Sequence, residues 1–200
     1  MIEYGRRYLR DRGVVATLQA VWRRYIYCSL DHVVLNSSRI DGAAADSLEE
    51  IRFRLAGPSD SNSIRRFDRA RGVTPRPRTA SAKVWRFLAC DGETIVASRW
   101  YADELPPYSP ISRVLALKSR QLWAGDTFCV PQYRSRGIAR ALGLFAQRHL
   151  ATEGYTDFLG AISAANIPSL RMTLHDSTVI CRIVYRRFLF HERLRVDELP

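Results

Sequence analysis

Val14, Leu18, Val21, Trp22, Tyr25 and Ile26 recur on one face of a 3.6-residue period, which predicts an amphipathic helix over residues 5–35. Arg12, Gln19, Arg23 and Arg24 fall elsewhere around the turn. Residues 36–49 are small and polar and read as a linker. The run IRFRLA (51–56) alternates apolar and charged positions, as a half-buried strand does. GPSDSNS follows with turn and N-cap residues and opens a short helix bearing Ile64, Phe67 and Asp68. Residues 71–82 form a basic, proline-containing loop. Two β-rich runs, VWRFLAC (84–90) and ETIVASRWYA (93–102), flank Asp91-Gly92 and predict a hairpin.

DELPPYSP (103–110) interrupts the sheet, and a third strand of this region ends in LWAGDTFCV (122–130). Over 136–154, Ile138, Ala141, Leu142, Phe145 and His149 share a helical face, and Gly154 is the expected stop. DFLGAIS (157–163) reads as a strand and residues 166–176 as a short helix with Pro168 in its first turn. TVICRIVYRRFLF (178–190) is β-rich. This order predicts an α/β fold with a mixed, mostly antiparallel central sheet flanked by helices. The expected organisation is an N-terminal helical extension and linker (1–49) and one sheet domain (50–200). No internal repeat or low-complexity block appears.

Length and charge narrow the function classes. Two hundred residues with 46% hydrophobic content can bury a core without metal or disulfide support. Cys28, Cys90, Cys129 and Cys181 are widely spaced, with no histidine at ligand spacing, so neither a metal site nor a disulfide framework is expected. No apolar run approaches the ~18 residues of a membrane span, and no apolar signal core follows the basic start, so the cytoplasm is the expected compartment. The net charge is +11, carried almost wholly by arginine, since Lys83 and Lys118 are the only lysines. Such a surface suits an anionic partner, and equally suits a solvated basic face. No helix-turn-helix, RNA-binding strand signature or zinc finger accompanies it, so no nucleic-acid partner is expected. The basic N-terminal helix could pack on its own domain, on a second copy in a homodimer, or on a membrane surface.

The segment Val130-Pro131-Gln132-Tyr133-Arg134-Ser135-Arg136-Gly137-Ile138-Ala139 joins a strand to an amphipathic helix. A helix start offers unpaired N–H groups and the positive end of the dipole. A glycine there lets the backbone approach a phosphate closely, and Arg134 and Arg136 add charge. Arg134-Ser135-Arg136-Gly137-Ile138-Ala139 also resembles the pyrophosphate loop of the GNAT acyltransferases, whose pattern is Arg/Gln-x-x-Gly-x-Gly/Ala. The resemblance extends over residues 51–190: IRFRLAGPSDSNSI is similar to the first strand and helix start, 84–100 to the next two strands, and Asn166-x-x-Ser169 to the second CoA-facing motif.

The resemblance implies that acetyl-CoA, or another acyl-CoA, is the co-substrate and that a small-molecule amine is the acceptor. Backbone groups of Phe128, Cys129 and Val130 would pair with pantetheine. The amides of Arg134, Ser135, Arg136, Gly137, Ile138 and Ala139 would hold the pyrophosphate, with Asn166 and Ser169 beside the arm. Asn166 would also serve as a helix N-cap. Asp126, on the strand beside the expected thioester, is the first candidate for general base, with Asp103 and Glu104 as alternatives. One departure from the family stands out. The position of its usual general-acid tyrosine falls at Thr173, and that of its following Gly-Phe at Ser177-Thr178. Tyr185, His175 or water would have to substitute, or the fold would bind CoA without catalysis. The Asn-x-x-Ser-Leu-Arg run is similar to GNAT proteins of surface-polysaccharide pathways, which implies an amino-sugar acceptor. Arg71, Arg76 and Arg78 would then meet an anionic portion of it. His149 and Cys129 read as packed residues rather than chemical groups.

Overall fold

A computed structural model describes residues 27–38, 48, 50–71, 82–106 and 109–198. The strands are β1 (Tyr27–Ser37), β2 (Ile51–Leu55), β3 (Val84–Asp91), β4 (Thr94–Ala102), β5 (Gln121–Cys129), β6 (Asp157–Ser163), β7 (Thr178–Phe188) and β8 (His191–Glu198). The α-helices are α1 (Ser61–Ala70), α2 (Ile138–Thr152) and α3 (Ile167–Leu174). All eight strands join one sheet in the order β2-β3-β4-β5-β6-β1-β7-β8. Only β5 and β6 run parallel; every other neighbouring pair is antiparallel. The mixed, mostly antiparallel sheet expected from the sequence is therefore present. The hairpin is present too, with Asp91 opposite Thr94 and the tight turn on Gly92-Glu93.

Two elements differ from expectation. Tyr27–Ser37, expected as the end of the first helix up to residue 35 and the start of the linker, is a strand inserted between β6 and β7. Its apolar core is the run Val33-Val34-Leu35, in which Val34 and Leu35 are fully buried. β-Branched residues suit a pleated surface, and hydrogen bonding on both edges outweighs the local helical pattern. Part of the expected extension is thus built into the sheet. The helical stripe from Val14 to Ile26 lies outside the described residues, as do Arg76 and Arg78. The second difference is β8, which the sequence reading did not include. His191–Glu198 is strongly charged and almost wholly exposed, and it pairs antiparallel with β7 as an edge strand. Charge at such an edge discourages pairing with a further chain.

The core lies mainly between α2 and one sheet face. Ile138, Leu142, Ala146 and Leu150 pack on Phe87, Tyr101, Leu122 and Phe158. Edge-to-face ring contacts join Phe87 to Tyr101 and Tyr101 to Phe158. On the other face, Ile64 and Phe67 of α1 cover Leu88, Cys90 and Ile95. Ile111 covers Trp123, Val34 and Leu159 there. Among the described residues no helix is long and apolar enough to cross a membrane.

Candidate active site

The site begins where the two parallel strands part. β5 pairs with β4 as far as Cys129, but with β6 only from Gln121 to Ala124. Beyond Ala124 and Gly160 a gap opens between them. A bulge accompanies the divergence: Arg99 pairs with Thr127 and Tyr101 with Ala124, so Gly125 and Asp126 together oppose Trp100. Gly125 is required there, because a Cβ would stand 2.1 Å from the Trp100 ring.

The hydrogen-bond alternation decides which backbone groups face the gap. Val130 N–H donates to Val96 O at 2.9 Å, and Val130 O accepts from Tyr133 N–H at 3.0 Å. Cys129 and Ala97 are therefore a non-hydrogen-bonded pair, and the strand pleat turns the N–H and C=O of Cys129 and Thr127 away from β4. Phe128 directs both of its groups, and Val130 its N–H, toward β4. Within the segment Phe128–Val130, Cys129 is thus the residue with a backbone edge on the gap, and Thr127 joins it. The Cys129 carbonyl accepts from Arg134 Nε at 3.1 Å. Burial pushes the Cys129 thiol up, which keeps it protonated and unreactive.

After β5 the chain makes a single 3₁₀ turn, Pro131–Tyr133, and enters α2 through Ser135 and Gly137, both left-handed at φ 62° and 76°. Gly137 is the N-cap of α2 and no side chain caps the helix. The first backbone bond runs from Ala141 N–H to Gly137 O, so the preceding amides of Gly137 to Arg140 have no partner within the helix. Arg134, Ser135, Arg136 and Gly137 are exposed, whereas Ile138 buries its side chain in the core. Arg134 lies over Phe128 and Arg136 over Tyr133. Tyr133 O–H donates to Asp91 at 2.6 Å and pins the turn to the β3–β4 hairpin. Exposed amides, a helix dipole and two arginines fit an anionic phosphate group.

Asn166 caps α3, accepting from Ser169 N–H at 3.4 Å. The end of α3 is tied to the first turn of α2 by Arg140, which donates to both carboxylate oxygens of Asp176 at 2.7 and 2.9 Å. The guanidinium holds the Asp176 carboxyl down at about 2, from an ordinary 3.8. A lowered native pKa adds stability above the unfolded value, and that stability is lost as pH falls through the native one. The stability difference between wild type and Asp176→Asn is therefore expected to be on the order of 1 to 2 kcal/mol at neutral pH. It should shrink as pH falls below about 3.8 and vanish only below pH 2. Urea midpoints measured across that range check this; a difference that does not change with pH would remove Asp176 from the account.

Asp126 stands on the bulge with its side chain half exposed, paired with Arg71 Nη2. Arg71, expected in a loop, instead caps α1 with its side chain buried and its guanidinium 4.1 Å from the Phe128 ring centroid. Behind it lies the buried Asp68, 3.6 Å from Arg71 and bonded to both arms of Arg86 at 2.7 and 2.6 Å. Arg86 also donates to Ser98 Oγ. The sequence reading missed this network. Its available signals were the i,i+3 spacing of Asp68 and Arg71 and the charge at Arg86 inside an apolar strand run.

Other candidates lie apart from the gap. Asp103 accepts from the Lys83 backbone beyond the β4 end that pairs with Trp123, opposite the end carrying the 130–137 turn. Tyr185 donates to Glu192 on β8, and His175 is exposed against Asp176. His149 packs edge-on against Phe87 and pairs with Glu153.

No family model matches the sequence, and neither does any curated protein. Solved structures do match. A GCN5-related N-acetyltransferase from Sphaerobacter thermophilus superposes with a TM-score of 0.58 at 17% identity, over 90% of this chain and 58% of that one. The chain has the GNAT fold. A putative acetyltransferase of the GNAT family from Novosphingobium aromaticivorans gives a TM-score of 0.54 at 13% identity, over 86% of this chain and 66% of that one. A functionally unknown conserved protein from Staphylococcus epidermidis gives 0.51 at 8% identity, over 92% and 68%. At these identities the likeness is one of fold.

Proposed function

We propose that the protein is an acyl-CoA-dependent N-acyltransferase acting on a small amine, with acetyl-CoA as the simplest donor and an amino sugar as the acceptor class. The observation that carries this reading is the juxtaposition of the β5–β6 gap with an uncapped helix start. The amides of Ser135 to Ala139 would hold the pyrophosphate, with Arg134 and Arg136 adding charge. Thr127 and Cys129 would pair with the pantetheine arm through their backbone edges, and Asn166 and Ser169 would face it from α3. The bound donor supplies an activated acyl thioester.

The attacking amine must be neutral, so a base has to take its proton. Asp126 is the carboxylate on the bulge, and it can serve once Arg71 yields it to the acceptor. Backbone N–H groups at the gap polarise the acyl carbonyl, and holding both reactants there removes much of the entropic barrier. Thiol release from acetyl-CoA in the presence of an amine panel tests this. Asp126→Asn is expected to lower kcat/KM by roughly 10²- to 10⁴-fold while leaving the fold unchanged. Turnover unaffected by that substitution would remove Asp126 from the mechanism.

A second reading is a CoA-binding module without catalysis. It is favoured by Thr173 where the family has its tyrosine, and by the Arg71 ion pair that occupies Asp126. Acetyl-CoA binding with no thiol release across the amine panel would select it.

A further inference from the structure

Arg99 is a half-buried cation on the sheet face that α2 covers. It sits on β4 opposite Thr127, and its side chain crosses to α2, where a Cβ on Gly143 would stand 2.7 Å from Nη1. Its Nε is buried without a hydrogen-bond partner, and among the described residues no carboxylate pairs with it. Its guanidinium lies 5.1 Å from the Tyr101 ring centroid. Tyr101 is fully buried, and its hydroxyl also has no hydrogen-bond partner. Burial pushes that phenol up, so it remains an O–H donor. Arg99 Nε and the Tyr101 hydroxyl are thus two buried donors without acceptors between α2 and the sheet. Buried polar groups left in this way are costly, and their presence calls for a ligand that supplies the acceptor.

Position tells which ligand this is. Gly143 lies six residues into α2 from Gly137, about 9 Å along the axis at 1.5 Å per residue. Thr127 lies three residues back along β5 from Val130, about 10 Å at 3.3 Å per residue. Both measures place Arg99 at one depth beyond the uncapped helix start, on β4 with β5 between it and the gap. This is the side on which the acyl end of a donor would lie if its pyrophosphate rests on the 134–139 turn.

We propose that Arg99 and Tyr101 form an acyl-recognition pocket for a carboxylate-bearing acyl group, so that the preferred donor is the CoA monothioester of a short dicarboxylic acid. The proposal rests on the acyl-CoA reading above and names the donor class for it. A guanidinium presents a planar fork that matches a carboxylate, and the phenol adds a third donor. In the transfer, the amine nitrogen forms the new C–N bond at the thioester carbonyl as the C–S bond breaks. The sulfur leaves as thiolate and takes up the proton shed by the amine. The distal carboxylate stays on Arg99 unchanged. A Cβ at Gly143 would press on the guanidinium, so a larger residue there would displace it from this position.

Binding of acetyl-CoA, butyryl-CoA, succinyl-CoA and free CoA, measured by titration calorimetry on the full chain, tests this without reference to turnover. Succinyl-CoA is expected to bind at least tenfold more tightly than acetyl-CoA or butyryl-CoA. Arg99→Met should abolish that preference while retaining acetyl-CoA affinity within about threefold. It removes an uncompensated charge, so its melting temperature without ligand is expected to equal or exceed that of wild type. Tyr101→Phe, which deletes only the hydroxyl, should reduce the preference and provides a second reading should Arg99→Met misfold. Equal affinity for acetyl-CoA and succinyl-CoA would overturn the proposal and leave the acyl-CoA reading standing. Tighter binding of butyryl-CoA than succinyl-CoA would likewise overturn it. Failure of all four to bind would overturn the acyl-CoA reading, and this proposal with it.

Discussion

Acetyl-CoA at about a hundred times its Kd is expected to stabilise the wild-type chain by about 2.7 kcal/mol. For a chain of this size, each kcal/mol moves the melting temperature by roughly 2 to 4 °C. The double variant Arg136→Glu/Gly137→Glu should show none of this increase. The substitution at 136 replaces an exposed cation by an anion beside the unpaired amides of α2. The one at 137 places a carboxylate on the N-cap, where it competes for the positive end of the helix dipole. A side chain at Gly137 would project into open space, so the cost to the unliganded fold is confined to its left-handed φ of 76°. That strain is about 1 to 2 kcal/mol, which a scan without ligand measures separately. Thermal scans of both chains with and without acetyl-CoA give the answer. A wild-type melting temperature indifferent to acetyl-CoA, free CoA and longer acyl-CoAs alike would sink the acyltransferase reading. An undiminished shift in the double variant would move the anion site away from the 134–139 turn.

Asp68→Ala is expected to be the most destabilising of the single substitutions considered, at about 3 to 5 kcal/mol. Asp68 is 6% exposed and stands between the guanidinium groups of Arg86 and Arg71. Removing it leaves two largely buried cations with Asp126 as the remaining carboxylate in the group. The melting temperature should fall by roughly 6 to 20 °C. Replacing Asp68, Arg71 and Arg86 together by apolar residues of similar size should recover most of the loss, since no buried charge then lacks a partner. The triple variant also removes the cation that occupies Asp126. Chemical denaturation of both variants decides the matter. A loss below about 1 kcal/mol in Asp68→Ala would mean that water reaches the two arginines and that the network contributes little to the fold.

The elements most legible in the sequence were those with local signals. The β3–β4 hairpin follows from β-rich runs around a tight turn, and α2 from its apolar stripe of Ile138, Leu142 and Phe145. The 134–139 turn was legible because a glycine between a strand and an amphipathic helix has few uses. β1 was not legible. Its residues continue an apparent helical stripe, and they become a strand only because β6 and β7 leave a place between them. β8 was hidden for the opposite reason: an exposed edge strand buries little, so its sequence carries charge instead of alternation.

By itself, the sequence determined the class of fold, the strand–turn–helix passage with its glycine at 137 and the basic character of the surface. Each of these depends on neighbours within a few residues or on composition. The tertiary structure alone decided which groups meet. It set Thr127 and Cys129, through the pleat and the β4 pairing, as the backbone edges on the gap. It brought Arg71 of α1 onto Asp126 of β5, 55 residues away along the chain. It set the Arg99 guanidinium against Gly143 and left Arg99 Nε and the Tyr101 hydroxyl buried without an acceptor. Such encounters are set by how the helices pack on the sheet, and no spacing along the chain encodes them.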